Sequence, residues 1–183
     1  MNSIHNCFIV NPAAGGGKNK GELVEKIRLA CENQGVEYEI HITKEAGDAE
    51  KFVRAECLAH PERKTRFYAC GGDGTLNDVV NGAFGFANAE ITAVPAGTGN
   101  DFIKSFSSPE AFLDIEAQLC GSALSLDLIK FNEKYCINVL NIGFDCLVVE
   151  KMKHIRSAIK VPNSIAYPLS GISALFGKFG NTY

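Results

Sequence analysis

The feature that most restricts the fold is an alternation: short apolar segments and amphipathic segments of helical period take turns along the first two thirds of the 183 residues. "IHNCFIV" (4–10) predicts a strand. Residues 20–34 then place Leu23, Val24, Ile27, Ala30 and Cys31 on one helical face, and Gly35 supplies a stop. "VEYEIHI" (36–42) alternates at period two, as a half-buried strand does. A second amphipathic helix is expected over 47–60, ended by Pro61. "TRFYAC" (65–70) predicts strand three, followed by a glycine turn and a helix carrying Leu76, Val79, Val80 and Ala83 on one face; "ITAVP" (91–95) predicts strand four. Ser108 and Pro109 then open another helix, closed by Gly121. Strands separated by helices cannot pair as hairpins, so the pattern implies an α/β domain with a parallel, helix-covered sheet.

After Gly121 the pattern changes. "LSLDLIKF" and "YCINVLNI", joined by the polar "NEK", read as an antiparallel hairpin, which puts a domain boundary near residue 122. The tail from 145 to 183 reads as helical. Within it, "KMKHIRSAIK" sets Met152, Ile155 and Ile159 on one face and Lys151, Lys153, Arg156 and Lys160 elsewhere. Such a helix can lie on an anionic membrane surface or simply cover the second domain, and the second use is the commoner one.

Charge and cysteine content narrow the function classes. A formal net charge of −3 gives no support for a nucleic-acid partner. Residues 151–183 hold five of the 18 basic side chains and none of the 21 acidic ones. The seven cysteines form no CxxC pair and the four histidines are scattered, so neither a zinc site nor a disulfide scaffold is expected; buried free thiols are. The N-terminus lacks a basic leader segment, and the longest apolar stretches are too short or too interrupted to span a bilayer. A cytoplasmic protein, with peripheral membrane contact at most, is the expectation.

In an open parallel sheet, ligands bind beyond the carboxyl ends of the strands. There strand one runs into Asn11, Pro12, Ala13, Ala14 and Gly15, with two more glycines and Lys18; strand two runs into Thr43 and "KEAGDA". Strand three runs into "GGDGT" (71–75), and strand four into "PAGTGNDF" (95–102). Glycine turns expose backbone N–H groups, and helix N-termini add a positive partial charge, which together suit a polyphosphate. Thr75 and Asp78 have capping-box spacing. Asp73 is the chemically pointed residue. A carboxylate among phosphate-binding amides can make a turn hydrogen bond, but its charge beside phosphate favours a metal or proton role. A Walker A loop fails at Pro12 and Asn19, and the dinucleotide fingerprint fails at Asn77.

"NPAAGG", "T-KEA-GDA", "GGDGTLNDVVNG" and "PAGTGNDF", in this order, resemble the catalytic domain of the diacylglycerol kinase and sphingosine kinase superfamily, most of all its soluble bacterial lipid kinases. The similarity runs from about residue 5 into "NVLNIGFD" near 145. "GGDGT" alone is shared with NAD kinases; "GTGNDF" is the more specific element. The resemblance implies an ATP-binding domain over 1–122, like that of NAD kinase and phosphofructokinase, and an incomplete lipid domain over 123–183. It implies γ-phosphoryl transfer from ATP, with Mg2+, to the hydroxyl of diacylglycerol or a related lipid, as in phospholipid metabolism. Asn11–Gly15 would form the first nucleotide loop, Thr43 a hydroxyl contact, and Gly72, Asp73, Gly74, Thr75, Leu76, Asn77 and Asp78 the main phosphate loop. Thr98 would add a contact, Asp73 would sit at the transfer centre, and Asp145 would face the lipid headgroup.

The family's later Asp-Gly-Glu stretch, with its proposed base and metal ligands, has no counterpart in this sequence, whose one Asp-Gly is Asp73-Gly74. The resemblance therefore implies a fragment of a longer protein, with a natively short, nucleotide-binding module lacking turnover as the other reading and an NAD kinase-like enzyme as a third. The unpaired hairpin edge makes a homodimer an expectation as well.

Overall fold

The computed structural model describes residues 4–17 and 20–139. Met1–Asn138 form one compact unit and Val139–Tyr183 a second, which lies almost wholly outside the described residues. Asp145, Lys18 and the basic segment 151–160 lie outside them too.

Four strands, β1 (His5–Val10), β2 (Tyr38–Ile42), β3 (Thr65–Gly71) and β4 (Ala89–Pro95), form one sheet in the order β2-β1-β3-β4, parallel throughout. The crossovers are α1 (Lys20–Gln34), α2 (Asp48–Ala59) and α3 (Asp73–Ala83). The period-two geometry of β1 divides the core in two. Cys7 and Ile9 point to one face, where Val53 and Cys57 of α2 and Leu76, Val79 and Val80 of α3 cover them. Phe8 and Val10 point to the other, with Ile27 and Cys31 of α1 and Ile115 of α4 (Ile115–Cys120). All seven residues of central β3 are buried, whereas edge strand β2 is half-buried and keeps the predicted alternation only through Ile40: His41 is partly covered, stacked on Phe52, and Ile42 is exposed. The α/β class and the helix-covered parallel sheet expected from the alternation are found.

Two local expectations are corrected. The helix predicted from Ser108 to Gly121 is broken. Pro109–Leu113 form a 3-10 turn, Ser108 caps nothing with its side chain, and Asp114 starts α4 afresh by accepting a 3.0 Å hydrogen bond from the Ala117 N–H. The hairpin is shorter than its apolar pattern suggests: β5 (Ile129–Phe131) and β6 (Lys134–Cys136) pair antiparallel around Asn132 and Glu133, with Asn132 left-handed. The thiols divide as well. Cys7, Cys31, Cys57 and Cys70 are buried, but Cys120 is exposed. Burial pushes the Cys7 thiol up to about 12 and that of Cys31 to about 11, so both stay protonated and unreactive.

At the far end of the sheet Arg66 of β3, only 6 % exposed, pairs with Glu90 of β4 at 2.7 Å. Its Nη1 donates to the Gln118 carbonyl at 2.7 Å, and Nη2, which also faces Glu90, donates to the Gly121 carbonyl at 2.8 Å. The guanidinium thus closes the C-terminus of α4, where its charge also meets the negative end of the helix.

Candidate functional site

Because the four strands are parallel, the loops after each open on one edge of the sheet, bringing Asn11, Thr43, Gly74 and Thr98 to a common rim. The order β2-β1-β3-β4 reverses direction between β1 and β3, and the two loops leaving that switch point are the first glycine loop and "GGDGT".

Asn11 organises the first loop. Its Oδ1 accepts from the Ala13 N–H at 2.9 Å, an Asx turn. Its Nδ2 donates across the switch point to Thr75 Oγ1 at 3.0 Å. Ala14–Gly17 then coil into a 3-10 turn in which Gly15 and Gly16 have φ of 58° and 79°. A Cβ on Gly15 would stand 2.7 Å from the Ala96 carbonyl oxygen, so the first loop lies backbone-to-backbone on the loop after β4. That second loop presses on the glycine turn before α3 in the same way: a Cβ on Gly97 would meet the Gly72 Cα at 2.5 Å.

Asp73 is the first residue of α3, with Gly72 as an N-cap that offers no side chain. Its Oδ1 accepts from the Phe102 N–H at 3.1 Å, tying the helix start to the loop after β4. Its Oδ2 and that of Asp101 flank Gly99, 3.1 and 3.6 Å from where a Cβ there would be. Asp101 also holds Lys104 at 2.7 Å. Asn100, left-handed at φ 52°, closes the loop on itself: its Oδ1 accepts from Gly97 N–H at 3.1 Å and its Nδ2 donates to Gly97 O at 2.9 Å. Asn100 and Asp101 have no role in the sequence reading of "PAGTGNDF", which singles out Thr98; their signal is their place in the loop after strand four.

The capping box is not formed. Thr75 Oγ1 is occupied by Asn11, and Asp78 faces the loop before α2, accepting from the Gly47 N–H. Burial raises the Asp78 carboxyl above its usual range, with Glu50 adding to the effect against the Gly47 bond. Leu76 donates its N–H to Gly72 O and buries its side chain in the core. Asn77 keeps its Oδ1 buried without a hydrogen-bond partner. Thr43, 9 % exposed, sets its N–H on Val10 O at 2.9 Å with its hydroxyl 3.4 Å from the same oxygen. Thr98 and Gly74 are exposed. The backbone donors of Asp73, Gly74 and Thr75 belong to the open first turn of α3, since Leu76 makes its first internal bond. A shallow depression, open to solvent, adjoins them, lined by Gly71, Asp73, Leu76, Pro95, Asn100 and Phe102 among others.

Beyond Asp73 and Asp101, His5, Glu39 and Glu56 come together at the opposite end of β1. Arg63 pairs with Glu56 there, and its positive charge opposes a cation.

The family described as the diacylglycerol kinase catalytic domain matches residues 5–131. The chain belongs to that family. Among diacylglycerol kinase relatives, the protein named diacylglycerol kinase from Staphylococcus aureus (strain MRSA252) is 34% identical over 134 residues, 72% of this chain and 41% of its own. The Enterobacter sp. (strain 638) protein named "Probable lipid kinase YegS-like" is 30% identical over 165 residues, 87% of this chain and 51% of its own. A solved diacylglycerol kinase structure from Bacillus anthracis str. Sterne superimposes with a TM-score of 0.54 at 25% identity, over 72% of this chain and 47% of that one. The chain spans about half the length of the relatives it matches. Among the described residues no helix is long and apolar enough to cross a membrane.

Proposed function

We propose that this chain is the nucleotide-binding part of an ATP-dependent lipid kinase, which moves the γ-phosphoryl group of ATP to the hydroxyl of diacylglycerol or a related lipid. One observation carries the reading: around the open N-terminus of α3, the glycine loop after β4 lies in backbone contact with both the first glycine loop and the turn at Gly72, and Asn11 ties the first loop to Thr75. Phosphoryl transfer asks a protein mainly for positioning and charge compensation, and that arrangement supplies fixed N–H donors for a triphosphate.

In this reading the Asn11–Gly15 loop and the first turn of α3, from Gly72, take the phosphates. Thr43 and Thr98 add hydroxyl contacts at the rim, and Asp78 holds the adjoining loop in place through Gly47. Asp73 and Asp101 each bring a carboxylate oxygen beside Gly99, near the phosphate donors, and would hold a divalent cation once Lys104 releases Asp101. Mg2+ held there would offset the charge of the transferring phosphoryl group. Asp73 keeps its second oxygen beside Gly99 while its first is fixed by Phe102. The lipid hydroxyl attacks the γ-phosphorus, the bond to ADP breaks, and the hydroxyl proton passes to a base. The hairpin 129–136 begins the acceptor-binding part, and Asp145 would face the lipid headgroup.

The test is a titration with Mg-ATP followed by a transfer assay across diacylglycerol, sphingosine, ceramide and NAD. Labelled phosphatidic acid supports the reading. Transfer to NAD alone gives an NAD kinase-like enzyme, and Mg-ATP binding without transfer to any acceptor gives a nucleotide-binding module.

A further inference from the structure

Helix α3 has a second polar attachment, remote from Asp73 and serving neither its own capping nor the phosphate loop. Asn81, 4 % exposed, lies eight residues along α3, roughly 12 Å up the helix axis. Its side-chain amide meets the backbone of Tyr135 in β6 as a neighbouring strand would: Oδ1 accepts from the Tyr135 N–H at 2.9 Å, and Nδ2 donates to the Tyr135 carbonyl at 2.8 Å. The same Nδ2 donates to Asn77 O at 2.8 Å, which fixes the rotamer. Arg54 of α2 donates to the Asn81 carbonyl at 3.0 Å.

Around this pair the contacts are close-packed. The Tyr135 ring stacks on Phe84 with centroids 3.5 Å apart, Lys130 sits 5.9 Å from the Tyr135 centroid, and Lys134 reaches Glu50 at 2.6 Å. A three-residue strand pair is too short to hold its own position. It needs an external anchor, and a buried amide with its bonds to Tyr135 satisfied in both directions is a specific one.

We propose that Asn81 is a positioning residue that locks the hairpin to α3, so that the helix opening on the phosphate loop and the start of the following chain segment move as one body. Phosphates bound at the first turn of α3 stiffen the helix, and the lock transmits that stiffening to the hairpin. What the lock serves rests on the nucleotide reading; its existence rests on the geometry of Asn81 alone. It gives the enzyme a way to hold the acceptor side in register with the phosphate side.

The experiment is amide exchange by NMR on the full chain labelled with 15N-tyrosine. The five tyrosines include Tyr135, at the lock, and Tyr68, in buried central β3, as a built-in control of the fold. Wild type, Asn81→Asp (which keeps an acceptor and loses the donor) and Asn81→Leu are compared with and without saturating Mg-ATP. Exchange at Tyr135 is expected to be at least tenfold faster in Asn81→Leu and several-fold faster in Asn81→Asp, with Tyr68 unchanged. In wild type Mg-ATP is expected to slow exchange at Tyr135, and in Asn81→Leu to bind with similar affinity but leave Tyr135 unaffected. Wild-type exchange at Tyr135 in both variants, or acceleration only in step with Tyr68, overturns the lock. Mg-ATP that binds wild type without slowing Tyr135 overturns the transmission. If Mg-ATP does not bind at all, the nucleotide reading and the transmission fall together, and the ligand-free rates still decide the lock.

Discussion

Gly97 and Gly72 touch backbone to backbone: the space a side chain would need on Gly97 is filled, at 2.5 Å, by the Cα of Gly72. The reverse is milder, since a Cβ on Gly72 would lie 3.3 Å from the Gly97 Cα. Gly97→Ala should therefore push the two loops apart, while Gly72→Ala needs a shift of only a few tenths of an ångström. Forced overpacking costs about 1–3 kcal/mol. Gly97→Ala is expected to weaken Mg-ATP binding more than tenfold and Gly72→Ala less, both read by calorimetric titration. Equal, wild-type affinities in both variants would mean that the loop contact does not shape the site.

Asp73 combines a tether with a charge, and two substitutions separate them. Asp73→Asn keeps an oxygen for the Phe102 N–H and removes the charge; Asp73→Ala removes both. The Asn variant should melt within about 1 kcal/mol of wild type and lose transfer to diacylglycerol. The Ala variant should lose transfer and be less stable as well, in urea melts. Wild-type turnover in Asp73→Asn would remove the carboxylate from the reaction.

Arg66 is a stability prediction far from the chemistry. Replacing it with Met leaves Glu90 without its buried partner and uncaps the carbonyls of Gln118 and Gly121. Breaking one side of a buried pair costs about 3–5 kcal/mol. Lys64, at 2.6 Å from Glu90, should soften the loss. Adding Glu90→Leu to Arg66→Met should recover part of it, which chemical denaturation of the two variants measures.

His5 sets an acid limit. Burial, with the Arg63 charge, lowers its pKa below the ordinary value of 6.5, against the smaller pull of Glu39 at 3.6 Å. The folded state therefore keeps His5 neutral while the unfolded chain takes up a proton near pH 6.5. Stability from this group is complete above that value and falls as pH drops from it toward the lower folded pKa. His5→Phe should flatten the melting temperature against pH as pH falls below 6.5. An unchanged slope would assign the acid sensitivity to other groups.

Elements were legible where one strong local signal dominated. The burial of β3, the amphipathic faces of α1 and α2 and the half-buried edge character of β2 follow from the apolar pattern, and parallel strands then put four loops on one edge. Contacts between those loops were not legible. Thr75 has the spacing to cap its own helix, yet a partner 64 residues earlier, Asn11, takes its hydroxyl. Asp114 interrupts a plausible helix because its side chain starts a better one. Asn81 looks like any polar residue on a helix face until the hairpin arrives beside it. Such roles arise from the tertiary meeting of segments, to which a single sequence window is blind.

An all-parallel sheet also gives the unit a working rim and an idle one. The turn between α1 and β2, at Gly35, belongs to the idle rim; its glycine is exposed, with no atom crowding it. Gly35 itself, left-handed at φ 62°, has to stay glycine, so a fluorophore or an affinity handle belongs on exposed Glu37 two residues on, where the opposite rim keeps its shape and the protein can be wired to an instrument.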